Sequence, residues 1–122
     1  RVESYLGVIV RWPLVIIDYD KEIREVVGRG AKVQMLLEVR DGITDTHTEF
    51  IERMEEAGAG MRQIGETPMR LAVFDEEAVV LPMNDPAPLE GDGFMMLEVR
   101  NHDLSRGFRG FFDQLWSEAT PV

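Results

Sequence analysis

The chain has 122 residues and a hydrophobic content of 44%, enough for one domain that buries a core without cross-links. It contains no cysteine, which removes disulfides, thiolate nucleophiles and thiolate metal sites together. Its 23 acidic and 13 basic residues give a formal net charge of −10, a sign that repels the phosphate backbone and argues against direct nucleic-acid contact by this chain. No apolar run approaches the roughly 18 residues of a membrane span, and the run over residues 14–17 is closed by Pro13 and Asp18. A cytoplasmic location without membrane contact is the expectation. The chain opens on Arg1 rather than Met, which predicts a piece excised from something longer.

Residues 5–10 (YLGVIV) form a short apolar, β-branched run ended by Arg11, Trp12 and Pro13, and predict a first strand that residues 14–17 extend past a bend. Asp18 or Asp20 then caps a helix with Ile23, Val26 and Val27 on its inner face and Gly28 and Gly30 as stops. Residues 32–39 (KVQMLLEV) read as a second strand, and strand, helix, strand within about 35 residues is a βαβ unit with parallel strands. Thr46 and Glu49 have capping-box spacing, and Phe50, Ile51, Met54 and Ala57 recur at helical intervals, so a second helix is expected over residues 45–56, ended by Gly58 and Gly60.

Residues 61–64 predict a third parallel strand. Residues 68–83 (PMRLAVFDEEAVVLPM) read as a hairpin: Leu71 and Val73 on one arm, Ala78 to Leu81 on the other, and Asp75, Glu76 and Glu77 at the turn. Proline, glycine and acid concentrate in residues 84–93, which predicts an exposed loop, and residues 94–99 a further strand. Asn101 or Asp103 caps a last helix whose Leu104, Phe108, Phe111, Phe112, Leu115 and Trp116 repeat at three and four. Gly107 and Gly110 lie on a neighbouring stripe, where they would admit a closely packed element. The fold class is α/β, a mixed and partly parallel sheet with flanking helices.

Side chains that could carry chemistry are sparse. His47 and His102 are the only imidazoles and neither has a partner at zinc-ligand spacing, so no metal or other cofactor is expected; both fall at helix starts, where polar residues are routine and exposed. Neither a nucleophile elbow nor a phosphate-binding Gly-Lys loop occurs. Arg62, Arg70 and Arg100 sit in or at the ends of predicted strands, where Arg suits carboxylate, phosphate or sugar hydroxyls; an ion-paired surface Arg is the alternative for each. Met35, Met69, Met83, Met95 and Met96 lie in or beside strands, as core filling or the lining of an adaptable pocket.

The run PMRLAVFDEEAVVLPMNDP resembles the strand pair in the effector domain of TrmB-type transcriptional regulators, including those fused to a LuxR-type DNA-binding domain. The closing GFFDQLWSEATPV is similar to that family's last helix and Thr-Pro boundary, and the opening VIVRWP to its first strand. The resemblance implies a phospholipase D-like fold. In the phospholipase D motif a His, a Lys two positions on and an Asp five beyond that form the active strand and turn. Here the slots hold Pro68, Arg70 and Asp75, so the nucleophilic His is absent.

The expectation is a single non-catalytic domain over residues 1–122 that senses a sugar or other polar metabolite and forms a homodimer, with DNA bound by a separate helix-turn-helix domain. Its ligand site would centre on Arg70, with Arg62, Glu66, Arg100 and Asp75 around it. Two alternatives stand beside it: a phosphodiesterase using His47 or His102 near Asp75, and a dimerisation module with no ligand.

Overall fold

Alternation of side chains along each strand decides which face is buried, and in the computed structural model, which describes residues 4–11, 19–82 and 96–122, it produces two cores on one mixed sheet. The strands are β1 (Tyr5–Arg11), β2 (Lys32–Glu38), β3 (Gly60–Ile64), β4 (Ala72–Phe74), β5 (Ala78–Pro82), β6 (Met96–Arg100) and β7 (Thr120–Pro121). Their order is β6-β5-β4-β1-β2-β3-β7. The pairs β1–β2 and β2–β3 are parallel, while β4, β5, β6 and β7 join antiparallel. Three helices, α1 (Tyr19–Gly28), α2 (Asp45–Ala57) and α3 (His102–Glu118), complete the described residues.

Leu6 and Val10 of β1 and Val33, Met35 and Leu37 of β2 face α1 and α2, where Ile23, Val26, Phe50, Ile51 and Met54 fill the first core. Residues of the opposite parity, Tyr5, Ile9 and Leu36, join Leu71, Val73 and Val79 under Phe112 and Leu115 of α3. Two glycines set close approaches. A Cβ on Gly58, the left-handed C-cap of α2 (φ 108°), would lie 2.9 Å from Val27 Cγ1 of α1; one on Gly7 would lie 2.8 Å from the Tyr5 hydroxyl and 3.1 Å from the Phe112 ring.

The βαβ unit, the third parallel strand, the hairpin and the Asn101 cap all form where the pattern places them. Three details differ. The cap of α2 is Thr44, not Thr46: the His47 amide donates to Thr44 Oγ1 at 3.5 Å and the Thr44 amide to His47 Nδ1 at 2.9 Å, so the imidazole fills the place usually taken by Glu. His47 is accordingly buried, not exposed. Gly107 and Gly110 face outward with nothing within 4 Å of an added Cβ, so among the described residues they admit no packed element. The extension over residues 14–17, the Asp18 cap, the loop over 84–93, and Met83, Phe94 and Met95 lie outside the described residues.

Candidate functional site

Parallel strands β1 and β2 end side by side, which brings Arg11 opposite Glu38 in the strand register. Glu38 follows Met35, Leu36 and Leu37 at the end of β2, and its side chain has no exposure to solvent. A carboxylate cannot stay ionised there without partners. It has three: Arg11 Nε donates to Oε1 at 2.7 Å, Thr67 Oγ1 donates to the same oxygen at 2.8 Å, and Arg40 Nε donates to Oε2 at 3.2 Å. Burial pushes the Glu38 carboxyl up, but the hydrogen bonds from Arg11, Thr67 and Arg40 outweigh it and hold the group below its ordinary value. It stays charged at neutral pH.

Arg11, Glu38 and Arg40 line a cleft of about 470 Å³ together with Val39, Asp41, Gly42, Thr44 and His47, within the roughly 300–1,000 Å³ usual for small-molecule sites. It lies at the carboxyl ends of adjacent parallel strands, where open α/β sheets place ligands. A second hollow, lined by Phe74, Asp75, Glu77, Ala78, Val80, Glu98 and Arg100, holds about 110 Å³ and is too small for a metabolite. Among the described residues, no group of three or more His, Cys, Asp or Glu side chains could hold a metal ion.

The five residues expected to form a ligand site do not come together. The Leu71 carbonyl accepts from the Ile9 amide at 2.9 Å, which sets the chain before β4, with Arg70, beside the carboxyl end of β1. Arg70 is half-buried and makes no hydrogen bond or ion pair with another described residue. Glu66 is exposed at the same edge, 4.0 Å from Arg40 Nη2. Asp75 lies at the other end of β4, about 16 Å away at 3.3 Å per residue. Its carboxylate accepts from the Ser4 amide and hydroxyl at 2.8 and 2.9 Å and from the Tyr5 amide at 2.8 Å. Arg100 is at that far end too, paired with Glu98 at 2.6 Å. Arg62 turns toward α3, donating to the Trp116 carbonyl at 2.7 Å with its guanidinium 4.7 Å from the indole centroid.

The imidazoles separate similarly. His47 caps α2 at the cleft, whereas His102 Nδ1 lies 3.1 Å from the Glu76 carbonyl beside the hairpin turn. Asp75, the acid a phosphodiester reaction would recruit, is occupied in tying that turn to β1.

Arg11, Glu38, Arg40 and Thr67 escaped the sequence reading. A signal for two of them was present: a glutamate directly after the apolar run Met35, Leu36 and Leu37, with an arginine ending the preceding parallel strand.

No protein-family model matches the sequence, and no curated protein matches it. Solved structures do. The chain superimposes on TrmBL2, an archaeal chromatin protein described as having a novel mode of DNA binding, with a TM-score of 0.75 at 17% identity, over 99% of this chain and 46% of that one. It matches Nuc, a phospholipase D family member from Salmonella typhimurium, with a TM-score of 0.79 at 11% identity, over 99% of this chain and 83% of that one. NucT from Helicobacter pylori gives 0.78 at 11% identity, over 99% and 84%. The fold is phospholipase D-like, and the chain spans less than half the length of TrmBL2.

Proposed function

We propose that this chain is a non-catalytic, ligand-sensing domain of a transcription regulator, with DNA bound by a separate domain. The observation that carries it is a phospholipase D-like fold, shared with the DNA-binding protein TrmBL2, in which the slots of the catalytic His and Lys hold Pro68 and Arg70. Proline offers no nucleophile and no proton to transfer. The two histidines serve a helix cap and a turn, which also speaks against a phosphodiesterase. The net charge of −10 fits a domain that leaves the phosphate backbone to other parts of a protein.

Dimerisation belongs to the same reading. On the α3 side of the sheet Leu97 and Leu104 are 46% and 44% exposed, and half-buried Leu81, Val99, Phe108 and Phe111 pack against the core there. Apolar surface of this kind fits a second copy of the chain. A ligand-sensing domain gains stability from its ligand by mass action, about 2.7 kcal/mol at a hundredfold excess over Kd. A thermal-shift screen of sugars, sugar phosphates and carboxylates tests the proposal. One class should raise Tm in a saturable way, with no turnover of a generic phosphodiester. Phosphodiester turnover lost on His102→Ala, or no stabilisation by any class, would contradict it.

A further inference from the structure

The cleft where β1 and β2 end is built around a pair of guanidiniums whose orientation is fixed from below. Arg11 and Arg40 both approach Glu38 through Nε, at 2.7 and 3.2 Å. That leaves the end-on edge of each guanidinium, the Nη1 and Nη2 pair that can grip an oxyanion, without a hydrogen bond to the carboxylate. The Nη groups of Arg11 have no partner among the described residues, and Arg40 Nη2 has only the exposed Glu66 at 4.0 Å.

Glu38 has both oxygens committed, to Arg11 and Thr67 on one and to Arg40 on the other, so it holds the two cations apart from each other yet facing one space. Around Glu38 lie about 470 Å³ of room, and the 13-residue helix α2 opens its amino terminus onto the same space through Thr44 and His47, adding partial positive charge.

We propose that this cleft binds a small oxyanion-bearing metabolite, its phosphate or carboxylate held by the Nη groups of Arg11 and Arg40, with Glu38 as the positioning residue. The proposal rests on the ligand-sensing reading and supplies its site and ligand class. Within the cleft Glu38 and Asp41, with Glu66 beside Arg40, oppose an anion and the two guanidiniums offset them; the rest of the chain's negative charge acts weakly. At physiological ionic strength charges more than about 8 Å away are largely screened, whereas contacts within the cleft are not.

Isothermal titration of the 122-residue chain at about 0.15 M salt with glucose 6-phosphate, citrate and neutral glucose tests it. At least one of the two anionic probes should bind saturably, and neutral glucose should not. Arg40→Met should weaken that binding at least tenfold, and Arg11→Met should do the same. Arg11→Met risks the fold by leaving Glu38 one partner short. Arg40 is 59% exposed, so Arg40→Met keeps the test decisive. Arg106→Met, on the exposed face of α3 and paired with Asp103, should leave affinity unchanged. Binding insensitive to Arg40→Met, or no binding of either anion, overturns the proposal. Saturable binding of neutral glucose alone would overturn the oxyanion site while leaving ligand sensing standing.

Discussion

Asp75 shows how a motif residue outlives its motif. It is the one described non-glycine residue with a positive φ, 57°, and its carboxylate gathers the Ser4 amide, the Ser4 hydroxyl and the Tyr5 amide, so the hairpin turn is bolted to the start of β1. Asp75→Ala removes three charge-assisted acceptor contacts and should cost about 2–3 kcal/mol in urea unfolding. Asp75→Asn, which tolerates the same backbone and keeps one acceptor oxygen, should cost less. Neither should change ligand affinity. Glu38 makes the opposite case, a residue that carries no motif and anchors the candidate site. Its carboxyl is held below its ordinary value in the fold, so the unfolded chain binds the extra proton first. The resulting stability is present above the unfolded value and lost as pH falls through the lower folded value. Acid titration of unfolding free energy should show a steep decline below about pH 4.3 that Glu38→Gln flattens, with Glu38→Gln less stable than the parent at pH 7. The sequence exposed the first residue by spacing. The second was concealed because burial of a charge is settled by partners 27 and 29 positions away.

At the scale of elements, most of the architecture was written in periodicity. The parallel trio β1–β2–β3 and the hairpin follow from apolar strands and their connections, and the Phe, Leu and Trp stripe of α3 finds Tyr5 and Leu36 beneath it. What periodicity does not encode is which end of a strand a side chain serves. Arg70 and Asp75 are five positions apart in sequence and at opposite ends of β4, because an extended strand carries them about 16 Å apart. Arg62 likewise carries a charge suited to a ligand and spends it on α3, where the Trp116 carbonyl and ring receive it. Arg62→Met should therefore destabilise the packing of α3 by about 1–2 kcal/mol, seen as faster amide exchange in the last turns of α3, and should leave ligand binding intact. At α2, Thr44→Ala should cost about 1 kcal/mol through the lost cap. Thr46→Ala should cost less, since the helix starts before it.

For the molecule as a whole, two helices cover one face of the sheet, and the single helix α3 leaves Leu97 and Leu104 open on the other. Sedimentation at micromolar concentration should find a dimer, and Leu97→Glu together with Leu104→Glu should yield monomer without unfolding, since both side chains lie on the surface. Among the described residues no helix is long and apolar enough to cross a membrane. Fold class was legible in the sequence because layering follows from pattern. The candidate site was legible only in its chemistry, an arginine-based grip, and not in its place: the sequence pointed to the hairpin, whereas the larger cleft lies where β1 and β2 end. Amide chemical-shift mapping with glucose 6-phosphate or citrate tests this account most directly. The predicted result is saturable shifts confined to Arg11, Glu38 through Gly42, Thr44 and His47, with Asp75, Ala78 and Arg100 unmoved. Shifts centred on Asp75 and Arg100, or none at saturating ligand, would contradict it.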